Sequence, residues 1–208
     1  MTTSTPPAPT HDPPGRPTFV RATLNLGDIR PHPWDREAAG REELLDGLVA
    51  AAADPPITLW NPFPAADRQD AGETVMFRDA AWDRGDSASF AVRNAADGAL
   101  LGNVTVRWTD REDGLAMMGY WTLPAARGQG VATRATEAVT DWAFATAGAR
   151  RIESAHAVGN EPSCRIADRC GYLPEGTLRA SHLFGDGAYH DEHLHARLAT
   201  DPQPAHLP

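Results

Sequence analysis

The 208-residue chain holds only two cysteines, and its 19 Lys and Arg are outnumbered by 28 Asp and Glu. Each shortage excludes something. Cys164 and Cys170 are too few to staple a small secreted fold, and six residues apart on one expected helix they match no metal spacing. They read as packing residues in a reducing cytoplasm. No stretch approaches eighteen apolar residues, and the first residues form neither a basic n-region nor an apolar h-region, so neither a membrane span nor an export signal is expected. A net charge of −9 opposes nucleic-acid binding, which needs clustered Lys and Arg. It is compatible with a cationic amine substrate, and equally with plain solubility.

The length suits one well-cored domain. Residues 1–17 are rich in Pro and Thr and poor in large apolar groups, which predicts a disordered tail; residues 18–200 form the domain, and 201–208 a second tail. Loose alternation predicts a first strand over Thr18–Leu26, broken by Gly27, Pro31 and Pro33. Helical spacing follows over 35–53, and Ile57–Pro64, bound by prolines, predicts a short strand or wall rather than a helix. A helix over 70–84, a hairpin over 90–108 and a strand over 115–123 come next. The rest reads as a helix over 130–147, a strand over 151–158, a helix opened by Glu161-Pro162, and a closing hairpin over 173–198.

The chain's most informative stretch is Arg127-Gly128-Gln129-Gly130-Val131-Ala132-Thr133. Two glycines let the backbone approach a ligand, Arg127 adds a positive charge, and the following helix aims unpaired N–H groups at the same point. Such a turn predicts an anion site, or simply close packing of strand and helix. A Walker loop is excluded because no lysine follows, and a dinucleotide fingerprint because a third spaced glycine is missing.

Arg127-x-x-Gly130-x-Ala132 resembles the acetyl-CoA pyrophosphate motif of the GCN5-related N-acetyltransferases. Gly119-Tyr120-Trp121, Pro124, Gly159-Asn160-x-x-Ser163, Cys170-Gly171-Tyr172, Glu175-Gly176 and Leu178-Arg179 follow the order of the RimJ/RimL branch. The resemblance runs from about residue 90 to 198 and is weaker upstream. It implies an α/β fold with a mixed, mostly antiparallel sheet, splayed in the middle and covered by helices on both faces. It also implies transfer of acetyl from acetyl-CoA to a primary amine, on a protein N-terminus or a small molecule, in a ternary complex and without a metal. A homodimer is a common family assembly. The same fold serves longer acyl-CoAs or acyl-carrier proteins as donors, and a non-catalytic CoA-binding module is the rival from another class.

Carried over residue by residue, the resemblance gives the phosphates to Arg127–Thr133 and the pantetheine arm to the backbone of Trp121, Thr122 and Leu123, with an N–H near Trp121 polarising the thioester. Asn160 would contact pantetheine, cap the next helix, or do both. Ala167 stands where many relatives carry a tyrosine acid, which leaves Ser163 to reprotonate the thiolate, against an ordinary first-turn serine. His182 occupies the position of the RimL-like glutamate base, with Asp191, His156 or a water chain as rivals. Trp60 and Phe63 would line the acceptor pocket with Asp191, or be ordinary core aromatics. His193 and His195 share one strand face, but the run from His190 to His195 reads as a polar strand.

Overall fold

The computed structural model describes residues 18–204, so the tail expected over 1–17 and the last four residues lie outside the described residues. The elements are β1 (Ile29–Pro33), α1 (Glu42–Ala52), α2 (Pro55–Trp60), α3 (Arg68–Arg84), β2 (Ser87–Asn94), β3 (Leu100–Asp110), β4 (Leu115–Thr122), α4 (Val131–Trp142), β5 (Arg151–Ala157), α5 (Glu161–Arg169), β6 (Leu173–Leu183) and β7 (Tyr189–Leu198). The seven strands form one sheet in the order β1-β2-β3-β4-β5-β7-β6. Among the described residues only the β4–β5 pair is parallel.

Alternation along the strands serves two cores. Phe90, Val104 and Val106 face α4, whose Val131, Ala135 and Val139 form a stripe narrow enough for close approach. On the other face Ala91, Leu100 and Trp121 meet Leu44, Leu48 and Val75 of α1 and α3. Helices therefore cover both faces, as the resemblance implied.

Three expectations need correction. Thr18–Leu26 is not a strand: Phe19 stacks on Trp108 with ring centroids 4.5 Å apart, and Gly27 at φ 84° folds the segment back beside β1. The first strand is instead Ile29–Pro33, across both prolines. It is an edge strand, and the Pro31 carbonyl accepts from Leu24 on its outer side, so the missing proline N–H costs no ladder bond to β2. The stretch after Asp54 is a short helix, because Asp54 accepts from the Ile57 N–H at 3.2 Å and Pro55 stands at the first helical position, where proline is well tolerated. At the other end, Gln203 accepts from the fully buried Arg197 at 2.9 Å, so the start of the expected tail packs on the domain.

The junction between β4 and β5 organises the molecule. Gly114 accepts from both Arg150 and Arg151, which starts the two strands side by side. Pairing lasts only from Leu115↔Arg151 to Met117↔Glu153. Beyond Met117 the strands part, and β4 offers an open main-chain edge to the gap.

Candidate active site

The gap leads to an anion cradle. Gly128 and Gly130 both lie at φ 73°, a left-handed conformation that glycine alone adopts without strain, and no side chain caps α4. A Cβ on Gly128 would meet nothing within 4 Å. The first N–H groups of α4 thus open onto free space, where a helix start favours negative charge by up to about 2 kcal/mol when partly buried.

A groove of about 620 Å³ runs from this cradle along β4, walled by α2 and α5. Thr122, Arg127, Gly128, Gly130, Val131, Ala132, Thr133, Asn160 and Ser163 all line it. Leu123 and Gln129 do not. Leu123 gives its N–H to Leu101 on β3 and packs against the α1/α3 core, and the Gln129 amide turns back to the Ala125 carbonyl. The backbone assignment shifts as well. The Trp121 carbonyl points at β3, only 2.5 Å from where a Gly102 Cβ would stand, so Trp121 and Leu123 spend their main chain on β3. By alternation the groups of Tyr120 and Thr122 face the gap, and the Thr122 carbonyl accepts from Arg127 at 3.2 Å. Trp121 lines the groove, while its ring packs on Phe63 and its carbonyl faces β3.

Arg127 is also differently employed from what its motif position suggests. Its guanidinium pairs with Asp54, the cap of α2, whose side chain is only 10% exposed. It therefore ties α2 to the turn before α4 rather than standing free for an anion. Arg134 is likewise paired with Asp28 and lies outside the groove wall, whereas Arg165 and Arg169 line it.

A second cavity of about 430 Å³ lies on the other side of the gap. It shares Trp60, Asn61, Tyr120, Asn160 and Ser163 with the first, so these residues stand where the two spaces meet. His182 lines the second cavity, its ring edge-on to Phe184 at 4.9 Å. Trp60 packs edge-on to Phe184 at 5.4 Å. Phe63 and Asp191 are placed elsewhere. Phe63 stacks on Trp121 at 5.6 Å and lies under the Arg78 guanidinium, and Asp191 accepts from the Ala180 N–H at 2.8 Å on the outer surface of β6–β7.

Asn160 caps α5 by accepting from the Ser163 N–H at 3.4 Å, so one expected role of Asn160 is met, and the residue also borders both cavities. Sequence reasoning gave no role to Tyr120, Asn61 or Glu192. Tyr120 donates to the Ser163 carbonyl at 2.9 Å, and burial raises its phenol well above the usual range, so it stays protonated. Glu192 lines the second cavity and accepts from Ser181 at 2.6 Å. Its register partner on β6 is Leu178, and the irregularity between Leu178 and His182 brings Ser181 to it, which no spacing along the chain shows.

A sheet parted beside an uncapped, glycine-flanked helix, with a second cavity meeting the groove at the parting, defines an acyl-CoA-dependent acetyltransferase architecture. The chain belongs to the acetyltransferase (GNAT) domain family, whose profile matches residues 38–173. Over 95 residues it is 34% identical to YdaF of Bacillus subtilis, provisionally named a ribosomal N-acetyltransferase; the match spans 46% of this chain and about half, 51%, of that relative. It is 27% identical over 139 residues to the ribosomal-protein-serine acetyltransferase of Escherichia coli, covering 67% of this chain and 75% of the relative. RimJ of Mycobacterium smegmatis, solved in complex with CoA-disulfide, superposes with a TM-score of 0.71 at 23% identity, over 86% of each chain. Among the described residues no helix is long and apolar enough to cross a membrane.

Proposed function

We propose that the protein transfers acetyl from acetyl-CoA to a primary amine in a ternary complex. The observation that carries this reading is the meeting of two cavities at Tyr120, Asn160 and Ser163, one of them ending at an open helix start suited to pyrophosphate. Acetyl-CoA supplies an activated acyl group and a thiol leaving group. The N–H groups of Val131, Ala132 and Thr133 receive its phosphates, Arg165 and Arg169 add charge from α5, and the free β4 edge at Tyr120 and Thr122 receives the pantetheine amides as an added strand.

The acceptor enters through the second cavity. Glu192 attracts the ammonium form, and His182 takes the proton that makes the amine nucleophilic. His156 is the weaker candidate, since burial holds it down to about 4 and leaves little basicity. On the donor side Ser163, held by the Asn160 cap and by Tyr120, returns a proton to the leaving thiolate. The names of the relatives support an amine on a protein, such as its N-terminus, as the acceptor class, with small-molecule amines as the alternative.

Thiol release from acetyl-CoA, measured against peptides with free N-termini and a panel of small amines, tests the reading. Turnover should fall about 10²-fold or more in Ser163→Ala and in His182→Ala, with little change in KM for acetyl-CoA in either. Turnover untouched by both substitutions would remove the assigned acid and base. Preference for longer acyl-CoAs or an acyl-carrier protein would change the donor.

A further inference from the structure

Beneath the second cavity lies a cluster that the acetyl-transfer reading does not use. In β5–β7 register His156 stands opposite His193 and Ser154 opposite His195, so three imidazoles share one sheet face. Cys164 and Asp168, one helical turn apart on α5, lie over the same spot. The ligand atoms of His156, Cys164 and His193 all lie within 4.8 Å of one another, and so do those of Cys164, Asp168 and His195. Cys164 belongs to both groups. His195 Nε2 stands 3.9 Å from Cys164 Sγ and 3.4 Å from Asp168 Oδ1, and its ring stacks on His156 at 4.9 Å.

The hydrogen bonding of this cluster is incomplete in a telling way. His156 is 6% exposed and His195 2%, yet neither ring nitrogen of His156 nor Nδ1 of His195 has a hydrogen-bond partner. Buried polar groups are nearly always paired, and a cation held with the Cys164 thiol and His193 would take up one of the two open nitrogens of His156. We infer that Cys164, His156 and His193 form a binding site for zinc, with His195 and Asp168 beside Cys164 at its edge.

The donor set argues for that class of ion. One thiolate with imidazoles is a borderline-soft set that suits zinc, whereas calcium and magnesium require oxygen ligands. Binding would replace the Cys164 S–H bond with a sulfur–zinc bond and release one proton to solvent. Asp168 is placed to keep a hydrogen bond or carboxylate contact at the rim. Since His156 also lines the second cavity, the occupied site would fix the floor on which the acceptor sits.

Cobalt(II) reports on zinc sites through visible d–d bands and a near-ultraviolet thiolate band. The full chain, stripped of metal and reduced, should bind one cobalt with tetrahedral bands and a thiolate band, and zinc should displace it. The thiolate band should vanish in Cys164→Ser and persist in Cys170→Ser. His156→Ala should weaken zinc at least about tenfold in chelator competition, with circular dichroism showing that each variant is folded. Zinc should also protect Cys164 from alkylation. Absence of stoichiometric cobalt binding, or a thiolate band that survives Cys164→Ser, would overturn the assignment. Neither readout requires the protein to turn over acetyl-CoA.

Discussion

At the residue scale, two side chains carry consequences that can be measured singly. The Tyr120 hydroxyl, 8% exposed as a residue, is bonded to the Ser163 carbonyl. Tyr120→Phe removes this bond and should cost about 1 kcal/mol, read as a lower urea midpoint with an unchanged slope. His156 makes a prediction about pH. Burial, reinforced by the neighbouring imidazoles, pushes its pKa from the ordinary 6.5 to about 4. The unfolded chain therefore binds a proton that the metal-free folded chain refuses. This stability contribution is complete above about 6.5, declines as pH falls, and is gone below about 4. Titration of the His156 ring by NMR checks the value, and urea midpoints at pH 7 and 5 check the sign. A ring that titrates at its ordinary value would refute the account of its burial.

At the scale of elements, the second cavity, proposed for the acceptor, is closed by a contact between α2 and the β6–β7 turn. Gly185 donates to the Leu59 carbonyl at 2.9 Å, and a Cβ on Gly185 would lie 1.9 Å from the Thr58 carbonyl oxygen. Gly185→Ala must therefore push helix and turn apart, because both partners are backbone. It should cost roughly 1–3 kcal/mol in stability and raise KM for the amine, with Trp60 displaced from Phe184. Urea unfolding and steady-state kinetics read the two effects separately; an unchanged KM would mean that this contact does not shape the acceptor pocket.

The same elements show what could be read from the sequence. The strand, turn and helix around Arg127–Thr133 were legible because glycine, charge and helix period all act locally. The α2 helix was misread because proline-rich sequence discourages a helix interior, while one Asp cap and a proline at the first position suffice for a single short turn. β1 was misread because proline is excluded only where its N–H is needed, and edge position is a property of the whole sheet. Arg127 matched its motif, but its pairing with Asp54 depends on a contact between residues far apart in sequence.

At the scale of the molecule, function follows from the point where the sheet parts. Three register pairs hold β4 to β5, and everything beyond them is space that no backbone fills. The open start of α4, the free β4 edge and the paired cavities are all consequences of that parting. The histidine and cysteine cluster belongs to this scale too. Its members come from β5, α5 and β7, so no spacing along the chain announced it, and the His190–His195 run alone read as a polar strand.

The claim on which the rest depends is that the glycine-flanked start of α4 holds the pyrophosphate of CoA. Calorimetric titration of CoA and of pantetheine, which lacks the pyrophosphate, into wild type and Ala132→Asp tests it directly. The account predicts that wild type binds CoA at least about tenfold more tightly than pantetheine, a difference of about 1.4 kcal/mol. It predicts that a carboxylate at position 132, like-charged with the phosphates at the helix start, removes most of that advantage while leaving pantetheine binding intact. Equal affinity for the two ligands, or CoA binding indifferent to Ala132→Asp, would contradict it.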